Sequence, residues 1–386
     1  MIFSIFTYIS FSLLLCFLSF QDVRMTNKHT VVYNNKFTVF SWLYILLFTI
    51  VSAFRFKLGA DCEEYVRFFT KAHFAQFEEK GEYLFSYINI FLYNIGIGRV
   101  GFLGFWAFVE ILFFYAALRT RKFLLPFVSL VLILGPHYYG WMNGIRQMVV
   151  ICIFVYAMQQ KIDNKRYFLY AFLILTGSFI HHSALILVVF LFIPNLDYFN
   201  NKYINRYVVI AAVLFSAVLG QQGWVKDPLN MAAFAASNIS SGYERYTDHM
   251  QVFTEELAVD MGYGPRRLVI LFVSLLIIWY YPKMKEYFND KFLVFSFTVF
   301  VIFAIFPENI LSSVHSSMSR PFMYFKPFKI ICNAYLLYYL HKKIRKRPIP
   351  FFVTLVLSLC YMIIDNIAEA NNPDESTLFK FIFTQN

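Results

Sequence analysis

The chain has 386 residues and is 59% hydrophobic, 21% aromatic and only 15% charged, with a mean hydropathy of +0.56. A soluble domain of this length has too little interior to hide so much apolar surface, so lipid must cover part of it. The formal net charge of +11 is scattered over several short loops, which excludes a nucleic-acid partner and points to a membrane surface.

Apolar runs with polar punctuation recur along the whole chain. They predict an all-α fold, a polytopic transmembrane helical bundle of about 12 spans, some of them short or re-entrant. In order these are 1–20, 37–54, 101–118, 123–140, 147–160, 167–181, 183–193, 207–222, 268–281, 292–306, 321–340 and 349–365. The first lacks a basic n-region and a small-residue cleavage site, so it reads as a span rather than a signal peptide. Several fall short of the ~20 residues that cross a hydrocarbon core, which is tolerated where a helix lines a protein cavity. One membrane domain fills 1–386, with an outer loop and interfacial helix at 55–100 and a large outer loop, a candidate lid, at 223–267.

Residues 167–193 read either as one long helix or as two helices hinged between Thr176-Gly177 and His182. Lysine and arginine placement selects the hinge. With it, the loops 21–36, 119–122, 161–166, 195–206, 282–291 and 341–348 share one side and hold 19 Lys/Arg against 5 Asp/Glu. The opposite loops hold 12 against 16. The basic side is then cytoplasmic and both termini lie outside, and Tyr83–Gly98 must be an interfacial or re-entrant helix rather than a crossing. Five cysteines in apolar settings give no disulfide framework, and only Cys62 is expected to face the outside. No Walker-type loop or Cys/His metal spacing is present, and no cofactor or metal is expected.

The outer side gathers the polar clusters. Arg55 follows the second span, and Gly59 permits a turn that would bring Asp61 back toward it, with Glu63, Glu64 and Tyr65 beyond. Arg146 and Gln147 open the fifth span behind an aromatic, sugar-stacking lip, with Asn143 adding a donor. An arginine fork matches phosphate oxygens, although an anchoring cation at the membrane surface would look the same. His181 and His182 lie at the hinge, where a histidine can take a proton from a hydroxyl. Arg320, Lys326 and Lys329 are costly near hydrocarbon unless an anion or polar cavity receives them. Glu110, inside the third span, calls for a cation. Tyr243 and Tyr246 in the large loop suit stacking on sugars and equally an interface belt. Together these clusters point to a lipid-linked sugar that carries a diphosphate.

The set resembles the EpsG family, grouped with Wzy-type polysaccharide polymerases. The resemblance rests on Arg55-Phe-Lys-Leu-Gly59-Ala-Asp61 with Tyr65, then Arg146-Gln147, His181-His182-Ser183-Ala184 and Arg320. Glu82-Tyr83-Leu-Phe85 looks like that family's Glu-Pro-x-Phe segment, with Tyr83 where proline is usual. The resemblance implies a GT-C-like, O-antigen-ligase-like glycosyltransferase at the outer face of the bacterial inner membrane. Its substrate would be undecaprenyl-diphosphate-linked oligosaccharide, extended into O-antigen, capsule or exopolysaccharide without metal, and a chain-length regulator protein would be a partner. It selects His181 over His182 as the catalytic base, with Asp61 second. Arg55, Arg146, Arg320 and Lys326 fall to the diphosphate, and Gln147, Tyr65, His182, Tyr243 and Tyr246 to sugar positioning. Other classes stay open: a flippase for lipid-linked sugars, a metal-dependent transferase using Asp61, Glu63 and Glu64, or a sugar O-acyltransferase.

Overall fold

The structure is a computed structural model that describes residues 2–26, 36–135, 137–199, 203–222, 224–225, 264–311, 320–345, 348–369 and 378–384. Tyr243 and Tyr246, with most of the 223–267 loop, lie outside the described residues. The protein is an all-α polytopic membrane protein, and each apolar segment of the sequence has a helical counterpart. Among the described residues four stretches are long and apolar enough to cross a membrane: Ile2–Thr26, Arg99–Leu134, Pro265–Phe288 and Lys291–Ile310. The second of these bends where Arg121 leaves helical geometry (φ −127°, ψ 39°). Shorter apolar helices include Val39–Ala53, Tyr167–Ser178 and Arg206–Leu219.

The chain divides into two compact units, Met1–Pro194 with Asn333–Asn386, and Asn195–Cys332. The first is built on α1 (Ile2–Thr26), α2 (Val39–Ala53), α6 (Arg99–Leu118), α7 (Leu125–Leu134) and α9 (Ile145–Asn164). Small residues let these helices approach closely. A Cβ at Gly104 of α6 would lie 3.2 Å from Ala53 of α2, and one at Gly177 would lie 3.3 Å from Val150 of α9. Thr38 caps α2 in a reciprocal box with Ser41. Both hydroxyls also donate to Asp22 at the end of α1, at 2.6 and 2.9 Å.

The loops of this unit sort onto two ends, as the charge pattern expects. At one end Lys122 pairs with Asp22 at 3.0 Å and donates to the Lys36 carbonyl, and Arg121 grips Asp163 with both Nη atoms at 2.7 and 2.9 Å. At the other, Arg55–Phe56 (β1) pairs antiparallel with Lys380–Phe381 (β2), and the Phe379 amide donates to Ser4 near the start of α1.

The break in 167–193 is present. Helix α10 (Tyr167–Ser178) stops, and a 3₁₀ stretch, His182–Leu191, folds back so that the Tyr170 hydroxyl reaches the Leu187 carbonyl at 2.5 Å. Lys161 donates to the carbonyls of Phe190 and Ile193 and so anchors the returning segment. Helix α5 (Tyr83–Asn94) has 12 residues, about 18 Å of length against a hydrocarbon core of ~30 Å. It begins at Tyr83 without the proline usual there.

In the second unit, Asn309 donates to the Val213 carbonyl and to Ser216, and Tyr281 stacks on Phe297. A π-helical turn, Phe300–Ile305, interrupts Lys291–Ile310 and leads to Glu308, which pairs with Lys329.

Candidate functional site

The site is set by how two breaks in the chain meet. The first N–H groups of a helix have no partner within it. At α5 the amides of Leu84 and Phe85 donate instead to the Phe179 carbonyl, at 3.0 and 3.3 Å, in the break after α10. The residue before α5 is thereby brought against the residues after Phe179. That residue is Glu82. It is reached from the short helix α4 (Ala75–Glu78) through a turn in which Gly81 has φ +73°, a backbone geometry that favours glycine.

Glu82 is 3% exposed, and both carboxylate oxygens are used. Oε1 bonds the His181 Nδ1 at 2.9 Å and accepts the His182 backbone N–H at 3.4 Å. Oε2 pairs with the Arg146 guanidinium at the start of α9. Arg146 also donates from Nε to the Tyr65 hydroxyl at 3.2 Å, and it lies against the rings of Tyr65, Phe77 and Phe85 at 5.3, 5.0 and 5.8 Å. The partners of Glu82 reach the surface: Arg146 is 15% and His181 23% exposed. Burial alone would push the Glu82 carboxyl up, but the His181 hydrogen bond and the Arg146 charge outweigh it and hold it below its ordinary value. Burial pushes the Tyr65 phenol up against the pull of Arg146, so it stays neutral and can donate.

Helix α3 (Ala60–Thr70) carries Asp61 and Tyr65 to this end. Gly59 precedes it at φ +93°, and a Cβ there would lie 2.5 Å from the Asn143 amide oxygen. The closeness serves a reciprocal clamp: Asn143 accepts the Asp61 N–H at 2.8 Å and donates to the Asp61 carboxylate at 3.2 Å. The expected return of Asp61 toward Arg55 is therefore not what the turn does. Gly59 starts a helix and hands Asp61 to Asn143.

Arg55 points the other way. It is 2% exposed and donates to the carbonyls of Ser52 (2.7 Å) and Met142 (3.4 Å), and the buried Glu110 side chain lies within reach of its charge. No ion pair or hydrogen bond joins the two: Arg55 Nε and Glu110 Oε2 are both buried without a hydrogen-bond partner among the described residues. Cys62, expected on the outer side, lies in α3 and is fully buried there.

The three carboxylates of the metal-dependent alternative face different partners. Glu63 is held by Arg99 and the Lys57 amide, Glu64 pairs with Arg67, and Asp61 has Asn143. Among the described residues no three His, Cys, Asp or Glu side chains form a metal-holding group.

Of the residues singled out in the sequence, His181, Arg146 and Tyr65 converge on Glu82, and Asp61, Gln147 and His182 lie at the same end of the unit. His182 contributes its backbone to Glu82, whereas His181 contributes its ring. Arg320 opens a 3₁₀ turn and Lys326 the following helix; both belong to the second unit, and their assignment to a diphosphate rests on the sequence. Lys329 meets Glu308, so part of the cationic cluster near 320–329 is neutralised within the chain. Glu82 is the residue the sequence did not single out as functional. Its signal was the resemblance segment that begins with it and its place as the last charge before an apolar helix.

No curated protein and no solved structure matches the chain. Residues 38–376 match the sequence profile of the EpsG family, a span that contains each of the elements meeting at Glu82. The chain belongs to the EpsG family and is a membrane protein associated with polysaccharide biosynthesis.

Proposed function

We propose that the protein is a Wzy-type polysaccharide polymerase, a glycosyltransferase working at the outer face of the bacterial inner membrane. Its donor is a growing glycan on a polyprenyl diphosphate of the undecaprenyl type, and its acceptor is a sugar hydroxyl of the next lipid-linked repeat. The observation that supports this reading is a buried carboxylate, Glu82, bonded to both a histidine and an arginine at one end of a membrane bundle.

In the reaction the acceptor oxygen bonds to the anomeric carbon of the donor sugar, and the bond from that carbon to the phosphate oxygen breaks. The departing electron pair stays on the diphosphate, which remains attached to its lipid. The acceptor proton passes to His181, a transfer that contributes typically ~10²–10⁴-fold. Diphosphate is already a good leaving group, and the charge it gains is of the kind that a guanidinium fork stabilises. Arg146 has that role here, so the reading requires no divalent ion. Asp61, exposed at the N-terminus of α3, is the second candidate for contact with the acceptor. Tyr65, Gln147 and His182 position sugar, and a chain-length regulator is the expected protein partner.

The test is the purified full-length protein in liposomes with lipid-linked repeat units, scored separately for lengthened glycan and for translocation. The reading predicts longer glycans with EDTA present. Translocation without lengthening would instead identify a flippase, and activity lost to EDTA and restored by Mg²⁺ or Mn²⁺ would contradict the metal-free mechanism.

A further inference from the structure

We infer that Glu82 is a positioning residue for this reaction, holding the base His181 and the cation Arg146 in one fixed arrangement. The inference rests on the polymerase reading of the site and deepens it.

A neutral imidazole has one donor and one acceptor nitrogen, whereas an ionised carboxylate only accepts. The nitrogen 2.9 Å from Glu82 must therefore be Nδ1–H, which leaves the lone pair on Nε2. Nε2 has no hydrogen-bond partner among the described residues. The carboxylate thus selects the tautomer that can accept a proton from an incoming hydroxyl and directs the ring edge that does so. The other carboxylate oxygen does the corresponding work for Arg146. A long side chain with several rotatable bonds is held by Glu82 and Tyr65 and framed by three rings, with its position set before a phosphate arrives. The anchor itself is rigid, because the Leu84 and Phe85 amides bind the Phe179 carbonyl beside it.

A purely structural ion pair would look similar, and two readouts separate the alternatives. The first is a double-mutant cycle on the full chain in liposomes, with lipid-linked repeat units as the probe. Glu82→Gln keeps the shape, yet its amide can donate to Nδ1 and favour the opposite tautomer. It should lower kcat by ~10²–10⁴-fold while folded protein is retained, and Glu82→Asp should recover part of the loss. In a His181→Ala background, where only its hold on Arg146 remains, Glu82→Gln should cost residual kcat much less than it does in wild type; an equal loss in both backgrounds would show that Glu82 does not act through His181.

The second readout needs no turnover. In ¹⁵N-histidine NMR of the protein in nanodiscs, the signal that disappears in His181→Ala should show the Nδ1–H tautomer in wild type and lose it in Glu82→Gln. An Nε2–H tautomer in wild type, or an unchanged tautomer in Glu82→Gln, would overturn the inference. A wild type that lengthens no glycan would defeat the polymerase reading alone, and the tautomer result would still decide the role of Glu82.

Discussion

Asp22 and Glu82 are buried carboxylates at opposite ends of the first unit, and the way each is satisfied separates architecture from chemistry. Asp22, fully buried, accepts from Thr38, Ser41, Tyr115 and Lys122. These partners tie the end of α1 to the start of α2, to α6 and to the turn before α7, and the Lys122 ammonium is itself buried, with its remaining bond on a backbone carbonyl. Glu82 is nearly as buried, but its two side-chain partners are partly exposed and one of them is a histidine. The first carboxylate closes a network; the second holds up groups that face outward. A buried charge in a membrane bundle is therefore not by itself a site. What marks one is a buried group whose partners still have capacity to bind something else.

The sharpest way to break this comparison is at Arg146. Hydrogen bonds to charged groups contribute roughly 1.5–3 kcal/mol, so Arg146→Ala should lower lengthening by at least about tenfold. Arg146→Lys should rescue it poorly, since an ammonium does not reproduce the fork that meets Glu82 and Tyr65 together. Full activity in the lysine variant, measured on detergent-purified folded protein, would reduce Arg146 to an anchor.

At the other end the expected pattern is reversed. Asp22→Asn leaves Lys122 buried without a countercharge, a change that costs ~3–5 kcal/mol. A lower thermal midpoint and a lower yield of folded protein should result, with activity per folded molecule close to that of wild type. A loss of specific activity without a loss of stability would remove the distinction between the two ends.

The smallest effect concerns pH. The Glu82 and Glu63 carboxyls both lie below their ordinary values in the folded protein; for Glu63 the pull of Arg99 and the Lys57 amide outweighs its burial. A depressed carboxyl adds stability that is fully present above its unfolded value and is lost as pH falls through the folded one. Thermal midpoints should hold from neutrality down to the ordinary carboxylate range and decline below it. The decline should be shallower in Glu82→Gln, and an identical acid profile in the two proteins would contradict the stated electrostatics.

Much of this was legible in the sequence because it depends on composition and local pattern. Membrane embedding follows from hydropathy, the sorting of loops from lysine and arginine counts, and the break near Gly177 from the parity those counts impose. Arg146, His181 and Tyr65 stood out because polar groups at span ends carry a cost. Glu82 did not, because its role arises from partners 64 and 99 residues away that meet it only through the fold. Arg55 and Asp61 illustrate the same limit. The sequence supplies the turn at Gly59, but the Asn143 side chain and the Met142 carbonyl, contributed from α8 (Tyr138–Asn143), decide that Asp61 is clamped and Arg55 turned inward. The burial of Cys62 has a related cause: the face of a short helix that becomes buried depends on what packs on it.

The central claim, that the end carrying Glu82 performs glycosyl transfer with His181 as its base, is tested most directly by one variant. Purified His181→Ala should be mixed with lipid-linked repeat units in liposomes, and retained donor and glycan length should be measured on the same sample. The account predicts donor retention equal to that of wild type with lengthening lowered by ~10²–10⁴-fold. A full ladder from His181→Ala would contradict it.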